Sequence, residues 1–274
     1  MKNAKRHSAI ALVECAIMIA LSTVLSIIKI IDLPYGGAVT IASMLPIVIA
    51  VYRHGGVFGI GVCLTNSAIQ LLLGMNNLSY AINWQAAVAI ILFDYIIAFS
   101  VFSVSAIFKN KLKNQVSAIT LGVVLASALR FLCHTIVGCT IWAGISIPTS
   151  ATILYSLSYN ATYMIPEALI LTLCTAYIFG ELDFSKKLPS RRNGKGLDRT
   201  NSALILSAGL SLLIGIIVDI VLVFSKLQNE ESGELDFSGL ANVNYPLLII
   251  VSAISVILFI SLYLCVKARE KRKA

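Results

Sequence analysis

The polar and aromatic side chains that could bind a ligand are concentrated in one stretch, residues 130–167, between long apolar runs. They are Arg130, His134, Trp142, Tyr155, Tyr159, Asn160, Tyr163 and Glu167. Residues four apart share a face of a helix, and Arg130 and His134 have this spacing, as do Tyr155 and Tyr159. A charged side chain at bilayer depth costs about 2.5–3.5 kcal/mol, so it usually faces protein or a water-filled cavity. This stretch therefore predicts two facing helices that line a ligand pocket.

A carboxylate in the fourth apolar run adds a second candidate centre. Asp94 and Tyr95 lie in the middle of F-D-Y-I-I-A-F, where an isolated carboxylate would be neutralised or paired. Its partner is expected to be Arg130 or a bound cation, with a purely structural ion pair as the alternative. His134 could donate to a ligand, or it could be an interhelical histidine whose hydrogen bonds are satisfied within the protein.

Aromatic residues at the predicted outer ends of the spans could stack on a ligand ring. Trp142 lies at the end of one span, and Tyr35 lies in the flexible loop P-Y-G-G, which could fold over an outward-facing pocket. Aromatic residues at this depth also fit the aromatic belt of the membrane interface. Trp84, in the loop 75–85, is a further candidate.

The composition places these residues in an integral membrane protein. The chain of 274 residues is 58% hydrophobic and 12% charged, with a mean hydropathy of +0.89, whereas soluble domains have about 25% charged residues. The net charge of +8 lies in short loops and indicates membrane topology rather than nucleic-acid binding. The six cysteines show neither metal-ligand spacing nor a disulfide framework. Because Walker A, H-E-x-x-H and G-x-S-x-G motifs are absent from the sequence, no ATP site, resident cofactor or catalytic function is expected.

The hydropathy pattern predicts an all-α membrane protein with eight apolar spans, each near the ~20 residues that cross a bilayer. The predicted limits are 8–30, 38–52, 55–74, 86–108, 116–139, 151–179, 202–225 and 245–267. If the spans alternate, 18 of the 21 Lys and Arg residues fall on one side, which places both termini in the cytoplasm. A basic cytoplasmic linker, 181–201, divides a six-span domain, 1–180, from a C-terminal two-helix hairpin, 202–274.

Five segments within residues 8–180 carry a family resemblance. They read A-I-M-I-A-L-S-T-V-L-S, L-P-Y-G-G-A-V-T-I-A-S-M-L-P-I, F-D-Y-I-I-A-F, A-L-R-F-L-C-H-T-I-V-G-C-T-I-W and L-Y-S-L-S-Y-N-A-T-Y-M-I-P-E. This set resembles the thiamine-specific substrate-binding subunit, or S component, of energy-coupling factor (ECF) transporters. The first segment contains Ala16-x-x-x-Ala20, a small-residue pair that lets another helix approach closely. The resemblance implies that Ala16 and Ala20 face the transmembrane coupling subunit.

The resemblance implies a six-helix S-component bundle with an outward-facing thiamine pocket, plus two additional transmembrane helices. The residues that the resemblance implies as ligand contacts are Asp94, Tyr95, Arg130, His134, Trp142, Tyr155 and Asn160. Tyr35 and Trp84 complete the candidate site. Trp142 would stack on a ring, and Asp94 would pair with the cationic ligand or its aminopyrimidine. The chain would be a non-enzymatic, multi-pass subunit in the bacterial cell membrane, working with a coupling subunit and two ATPase subunits.

Three positions depart from the family pattern. Asp94 stands where the family often has Glu, Tyr35 where it often has Trp, and Arg130 where a Lys can occur. Related subunits for riboflavin or a thiamine precursor share the architecture, so they remain alternatives. A stand-alone secondary carrier is another, although no internal repeat supports it. A membrane enzyme with His134 as base is a third alternative.

Overall fold

The computed structural model describes residues 2–33, 36–140, 152–186, 188–191, 199–227 and 237–273. Within these residues, seven helical segments are long and apolar enough to cross a membrane, and one further apolar helix, Leu45–His54, is shorter. The predicted all-α membrane protein is therefore confirmed. The chain divides into two compact units, Met1–Ser190 and Arg191–Ala274, and each is described by itself.

The first unit combines membrane helices with a short β-hairpin. Its helices are α1 (Lys2–Ile27), α2 (Leu45–His54), α3 (Gly56–Leu73), α4 (Trp84–Ala89), α5 (Ala98–Ser100), α6 (Gln115–Thr140) and α7 (Thr152–Glu181). A 3₁₀ turn, Met75–Tyr80, follows α3; a π-helix, Ile90–Ile97, joins α4 to α5; and a 3₁₀ segment, Val101–Ala106, completes that span. Its strands are β1 (Lys29–Asp32), β2 (Ala38–Thr40) and β3 (Leu182–Asp183), and the two-residue strand β4 (Ser190–Arg191) lies at the unit boundary.

The segment after α1 differs from the sequence prediction. The helix ends at Ile27 instead of continuing to residue 30, and β1 then pairs antiparallel with β2, with Asp32 opposite Ala38. The predicted span 38–52 is therefore a strand followed by the ten-residue helix α2. Hydropathy does not separate these outcomes, because a short apolar run fits a strand as well as a buried helix.

Two glycines make the sharp turn that places α2 inside the unit. Gly55 and Gly56 have φ angles of 50° and 47°, a left-handed conformation that favours glycine because it lacks a Cβ. α2 is buried from Pro46 to Tyr52, whereas the longer helices keep exposed apolar faces of the kind that lipid covers. The short helix therefore forms the centre of the bundle.

Close helix contacts around the fourth span fix the position of α6. Gly122 of α6 lies against the Ser105 backbone, and an added Cβ would overlap the Ser105 carbonyl. Small residues at such crossings let membrane helices approach closely. α6 also packs along α7, so these two helices face each other as the sequence spacing predicts.

An ion cluster closes the end of the unit where α1 begins and α7 finishes. Glu14 accepts hydrogen bonds from Nε and Nη2 of Arg53, each at 2.9 Å, and lies 2.7 Å from His54 Nε2. Arg53 Nη1 also donates to the backbone carbonyls of Phe184 and Lys186, both at 3.2 Å. Glu14 is therefore a paired residue that ties α1 to α2 and to the chain that follows α7.

Lys109, just beyond the fourth span, adds a contact at the same end. Its Nζ donates to the Tyr52 carbonyl at 2.6 Å and lies 4.5 Å above the centre of the Tyr52 ring. Burial, together with the nearby Arg53 guanidinium, lowers the pKa of Lys109 below its ordinary value. The ammonium is thus partly desolvated and fixed against the end of α2.

The second unit is a helical hairpin. It consists of α8 (Arg199–Leu227) and α9 (Tyr245–Lys273). Gly215 of α8 lies so close to Ser255 of α9 that an added Cβ would overlap the serine side chain. One turn further, Ser252 donates to Asp219 Oδ2 at 2.6 Å. The intramembrane carboxylate of α8 therefore has a donor within its own hairpin, as membrane carboxylates generally require.

Candidate functional site

One end of the first unit contains a cavity of about 460 Å³. It lies among the C-terminal ends of α1, α3 and α6, the first half of α7, the β-hairpin and the π-helix. Sites for small organic molecules are typically about 300–1,000 Å³ in volume. Six predicted site residues line it: Asp94, Tyr95, Arg130, His134, Tyr155 and Asn160. The fold thus brings residues from three separate spans to one cavity.

The π-helix turns two adjacent side chains, Asp94 and Tyr95, towards the cavity. Its hydrogen bonds reach five residues along the chain instead of four, so residues four and five apart share a face. Ile90, Asp94, Tyr95 and Phe99 have these spacings, line the cavity, and are each at most 9% exposed. π-Helical turns occur frequently at functional sites.

Asp94 pairs with His134 of α6. The Asp94 Oδ1 atom lies 2.9 Å from His134 Nδ1, which is a hydrogen-bond distance. The other imidazole nitrogen, Nε2, is buried and has no hydrogen-bond partner within the described part of the chain. A buried polar atom left in this way costs about 1–3 kcal/mol. Since His134 lines the cavity, Nε2 is suited to a hydrogen bond with a ligand.

Arg130 has a different partner from the expected one. The predicted Asp94–Arg130 pair is wrong, because Arg130 Nη1 donates to Glu167 Oε2 at 3.2 Å. The guanidinium also lies 4.3 Å from the centre of the Phe99 ring, a cation–π contact. Thr40 Oγ1 donates to Glu167 Oε1 at 2.8 Å. This buried carboxylate therefore joins α6, α7 and the β-hairpin.

Helix α7 supplies an aromatic wall. Tyr155, Tyr159 and Tyr163 all line the cavity, as their spacing predicts. Tyr163 donates its hydroxyl to Asn160 Oδ1 at 2.7 Å, and Asn160 Nδ2 donates to the backbone carbonyl four residues earlier at 2.9 Å. The Tyr159 hydroxyl accepts the Gly37 N–H at 3.2 Å. These bonds hold the phenols and the amide in place before any ligand arrives.

The polar lining is suited to an organic ligand. It contains the cationic residues Lys29 and Arg130 and the carboxylates Asp94 and Glu167. Among the described residues, no group of three His, Cys, Asp or Glu side chains is arranged to hold a metal ion. The site therefore offers charge, hydrogen bonds and aromatic faces for recognition.

The remaining predicted site residues lie elsewhere. Tyr35 and Trp142 fall outside the residues that the structure describes. Trp84 is the first residue of α4, is 71% exposed, and is not part of the cavity lining. Ala16 and Ala20 are both exposed on α1, so this small-residue face is accessible to another helix.

Phe99 and Asn77 line the cavity but are not among the residues predicted from the sequence, and Glu167 lines it without a predicted ligand contact. Phe99 lies four residues after Tyr95, and Glu167 lies four residues after Tyr163, so extending the helical spacing would have found both. Asn77 is different, because it lies in a 3₁₀ turn and reaches the Tyr95 hydroxyl through a 2.9 Å hydrogen bond. Its turn carries no periodic signal.

Comparisons with known proteins cover the unit that contains the cavity. Residues 12–188 match the family described as thiamine transporter protein. The chain is also similar to the thiamine transporter ThiT of Bacillus subtilis (strain 168), with 28% identity over 181 residues, covering 62% of this chain and 90% of the relative. These findings confirm the resemblance seen in the sequence motifs. The chain belongs to the thiamine transporter protein family.

Proposed function

We propose that this chain binds thiamine in the cavity of its first unit, as the substrate-binding subunit of an ECF-type uptake transporter. The observation that carries the proposal is the charge arrangement of the lining. Arg130 and Glu167 compensate each other. Asp94 lies 2.9 Å from His134 and lines the cavity, so its carboxylate is placed to accept a hydrogen bond from a cationic or amino-substituted ligand. Thiamine has both a cationic thiazolium ring and an aminopyrimidine.

The other predicted contacts complete this proposal. Tyr155 and Asn160 would contact the ligand from α7, and both are already part of the lining. Trp142 would stack on a ring, and Tyr35 would cover the pocket from the loop between β1 and β2. Trp84 stays a prediction for a ligand contact, although it is 71% exposed and lies outside the cavity lining.

Calorimetric titration of the purified chain tests the ligand. Thiamine should bind more tightly than riboflavin or a thiamine precursor. Replacement of Asp94 by Asn should weaken thiamine binding about tenfold to a hundredfold, because a hydrogen bond to a charged group contributes about 1.5–3 kcal/mol. Asp183→Asn, in β3 and outside the cavity lining, is the matched control and should bind normally. Tighter binding of riboflavin or the precursor would overturn the assignment.

Fluorescence separates the two tryptophans, which are the only ones in the sequence. Thiamine should quench emission from a Trp84→Phe variant, since Trp142 would remain to stack on the ligand. The quenching should disappear in Trp142→Phe, while calorimetry still reports binding. Quenching that follows Trp84 instead would transfer the stacking role to α4.

The same proposal assigns the exposed Ala16–Ala20 face of α1 to the transmembrane coupling subunit. ATP hydrolysis would come from two other chains, because this sequence carries no nucleotide motif. Both termini would face the cytoplasm, and thiamine would be recovered unchanged after transport. Uptake into proteoliposomes should require the coupling and ATPase subunits. Uptake by this chain alone would instead establish a stand-alone carrier.

A further inference from the structure

A second, much smaller cavity in the first unit shares three of its lining residues with the large one. Its volume is about 10 Å³, close to the least space that holds one buried water molecule. Arg130, Glu167 and Ser43 line both cavities, and Ser127 lines only the smaller one. The small cavity therefore offers room for one small molecule beside Arg130.

Two residues of this lining carry a buried polar atom that needs a partner. Arg130 Nε and Ser127 Oγ are both buried and have no hydrogen-bond partner within the described part of the chain. The two residues lie three positions apart on α6 and so share one face of that helix. Arg130 is only 9% exposed, and an N–H of a buried cation is costly to leave without an acceptor.

Ser43 brings a third polar group to the small cavity from the segment between β2 and α2. It is 5% exposed, and its Oγ lies 2.8 Å from Thr40 Oγ1. A hydroxyl has one donor and two acceptor positions, so this single bond leaves Ser43 able to form another. The small cavity is thus lined by one unpaired N–H and two hydroxyls with hydrogen-bonding capacity to spare.

We propose that the small cavity is a binding site for one water molecule, held by Arg130 Nε, Ser127 Oγ and Ser43 Oγ. The water oxygen accepts the Nε–H, and its two protons are available to the serine hydroxyls. Buried waters typically form about three hydrogen bonds, which is the number that these groups supply. The site goes beyond the proposed function, because it does not depend on which vitamin binds.

The charges around the small cavity favour water over an ion. The Arg130 guanidinium would repel a metal cation, and the Glu167 carboxylate on the same lining would repel an anion. These two groups already compensate each other across 3.2 Å. A neutral molecule that both donates and accepts hydrogen bonds is the occupant that fits.

The water would give the Arg130 guanidinium a third fixed contact. Nη1 already donates to Glu167, and the group lies 4.3 Å from the centre of the Phe99 ring. With Nε bonded to the water, the orientation of the guanidinium at the large cavity would be set before any ligand arrives. A lysine side chain has no Nε and would give the water no donor at this point.

The first test is the sign of the Tm change in Ser127→Ala, measured on the full chain in detergent without ligand. If the water is bound, alanine removes one of its partners, and Tm should fall by about 2–4 °C. In a dry cavity, alanine would remove a buried hydroxyl that lacks a partner, so Tm should rise. Ser117→Ala, at an exposed position of α6, is the matched control, because both changes introduce the same better helix former. A Tm of Ser127→Ala equal to or above that of the control would overturn the proposal.

Crystal structures that resolve ordered waters provide the second test, which also decides the question if Ser127→Ala does not fold. The wild type should show one density peak within hydrogen-bond distance of Arg130 Nε and Ser127 Oγ, and Arg130→Lys should lose it. Absence of the peak in the wild type, or its persistence in Arg130→Lys, would overturn the proposal. So would anomalous scattering at this point in wild-type crystals grown with bromide in place of chloride, since it would identify an anion.

Discussion

Replacing Glu167 by Gln should lower the thermal stability of the protein. The change removes the carboxylate that pairs with Arg130 at 3.2 Å and leaves the guanidinium with the Phe99 ring. Arg130 and Glu167 are 9% and 7% exposed, and loss of one partner from a buried pair costs about 3–5 kcal/mol. Because Arg130 also borders the cavity, where water reaches it, we expect about 3 kcal/mol. For a unit of this size that corresponds to a decrease in Tm of about 6–12 °C.

A double-mutant cycle isolates the pair. Arg130→Met removes the cation, and the double variant with Glu167→Gln removes both charges. Because replacing a whole buried pair by uncharged residues is often neutral, the double variant should be more stable than either single one. Asp183→Asn is the control: its partner Lys186 is 49% exposed at the side chain, so the change should cost at most about 1 kcal/mol.

The assay is thermal unfolding in detergent without ligand, followed by circular dichroism. An unchanged Tm in Glu167→Gln would show that Arg130 is adequately solvated by the cavity. Stability losses that simply add in the double variant would show that the two charges do not interact. Either result would refute the reasoning from burial.

Three further predictions concern the rest of the chain. Truncation after Ser190 should leave a folded protein with normal thiamine affinity, because the first unit is compact by itself; loss of both affinity and Tm would make the hairpin part of the binding core. Leucine at Ala16 and Ala20 should preserve thiamine binding and abolish uptake in the assembled transporter, and loss of binding would place this face inside the unit. Glu14→Gln weakens two 2.9 Å bonds from Arg53 and should lower the free energy of unfolding by about 1–3 kcal/mol, with thiamine affinity, measured by calorimetry, unchanged at the opposite end.

Periodicity was informative where helices are regular. The four-residue spacing from Arg130 to His134 and from Tyr155 to Tyr163 placed these residues on facing surfaces of α6 and α7, and the structure finds them around one cavity. It failed where the backbone leaves the α-helical period. The apolar run around Asp94 does not distinguish a π-helix from an α-helix in the sequence.

The sequence alone also does not predict which of the charged residues form ion pairs. Asp94 and Arg130 were the obvious partners because both are isolated ionisable groups in apolar runs. The fold provides a second carboxylate, Glu167, which is 37 residues from Arg130 in the chain and meets it across α6 and α7. Whether Asp94 or Glu167 pairs with Arg130 depends on how each helix is rotated about its axis and on the depth of each residue in the membrane. Neither quantity follows from residue spacing within a single span.

The choice of partner matters for a cationic ligand. An uncompensated guanidinium about 8 Å from a bound cation would repel it by about 2 kcal/mol at an effective dielectric constant of 20, or roughly thirtyfold in affinity. Glu167 offsets that charge, while Asp94 lies beside His134 in the cavity lining. Without Glu167, the charge of Arg130 would oppose the binding of a cation in the same cavity. Glu167 therefore supports cation binding even if it contacts no ligand. Stability and thiamine affinity should accordingly fall together in Glu167→Gln. When Arg130 is also replaced, stability should recover, whereas affinity should stay below that of the wild type because the ligand contact expected of Arg130 is lost.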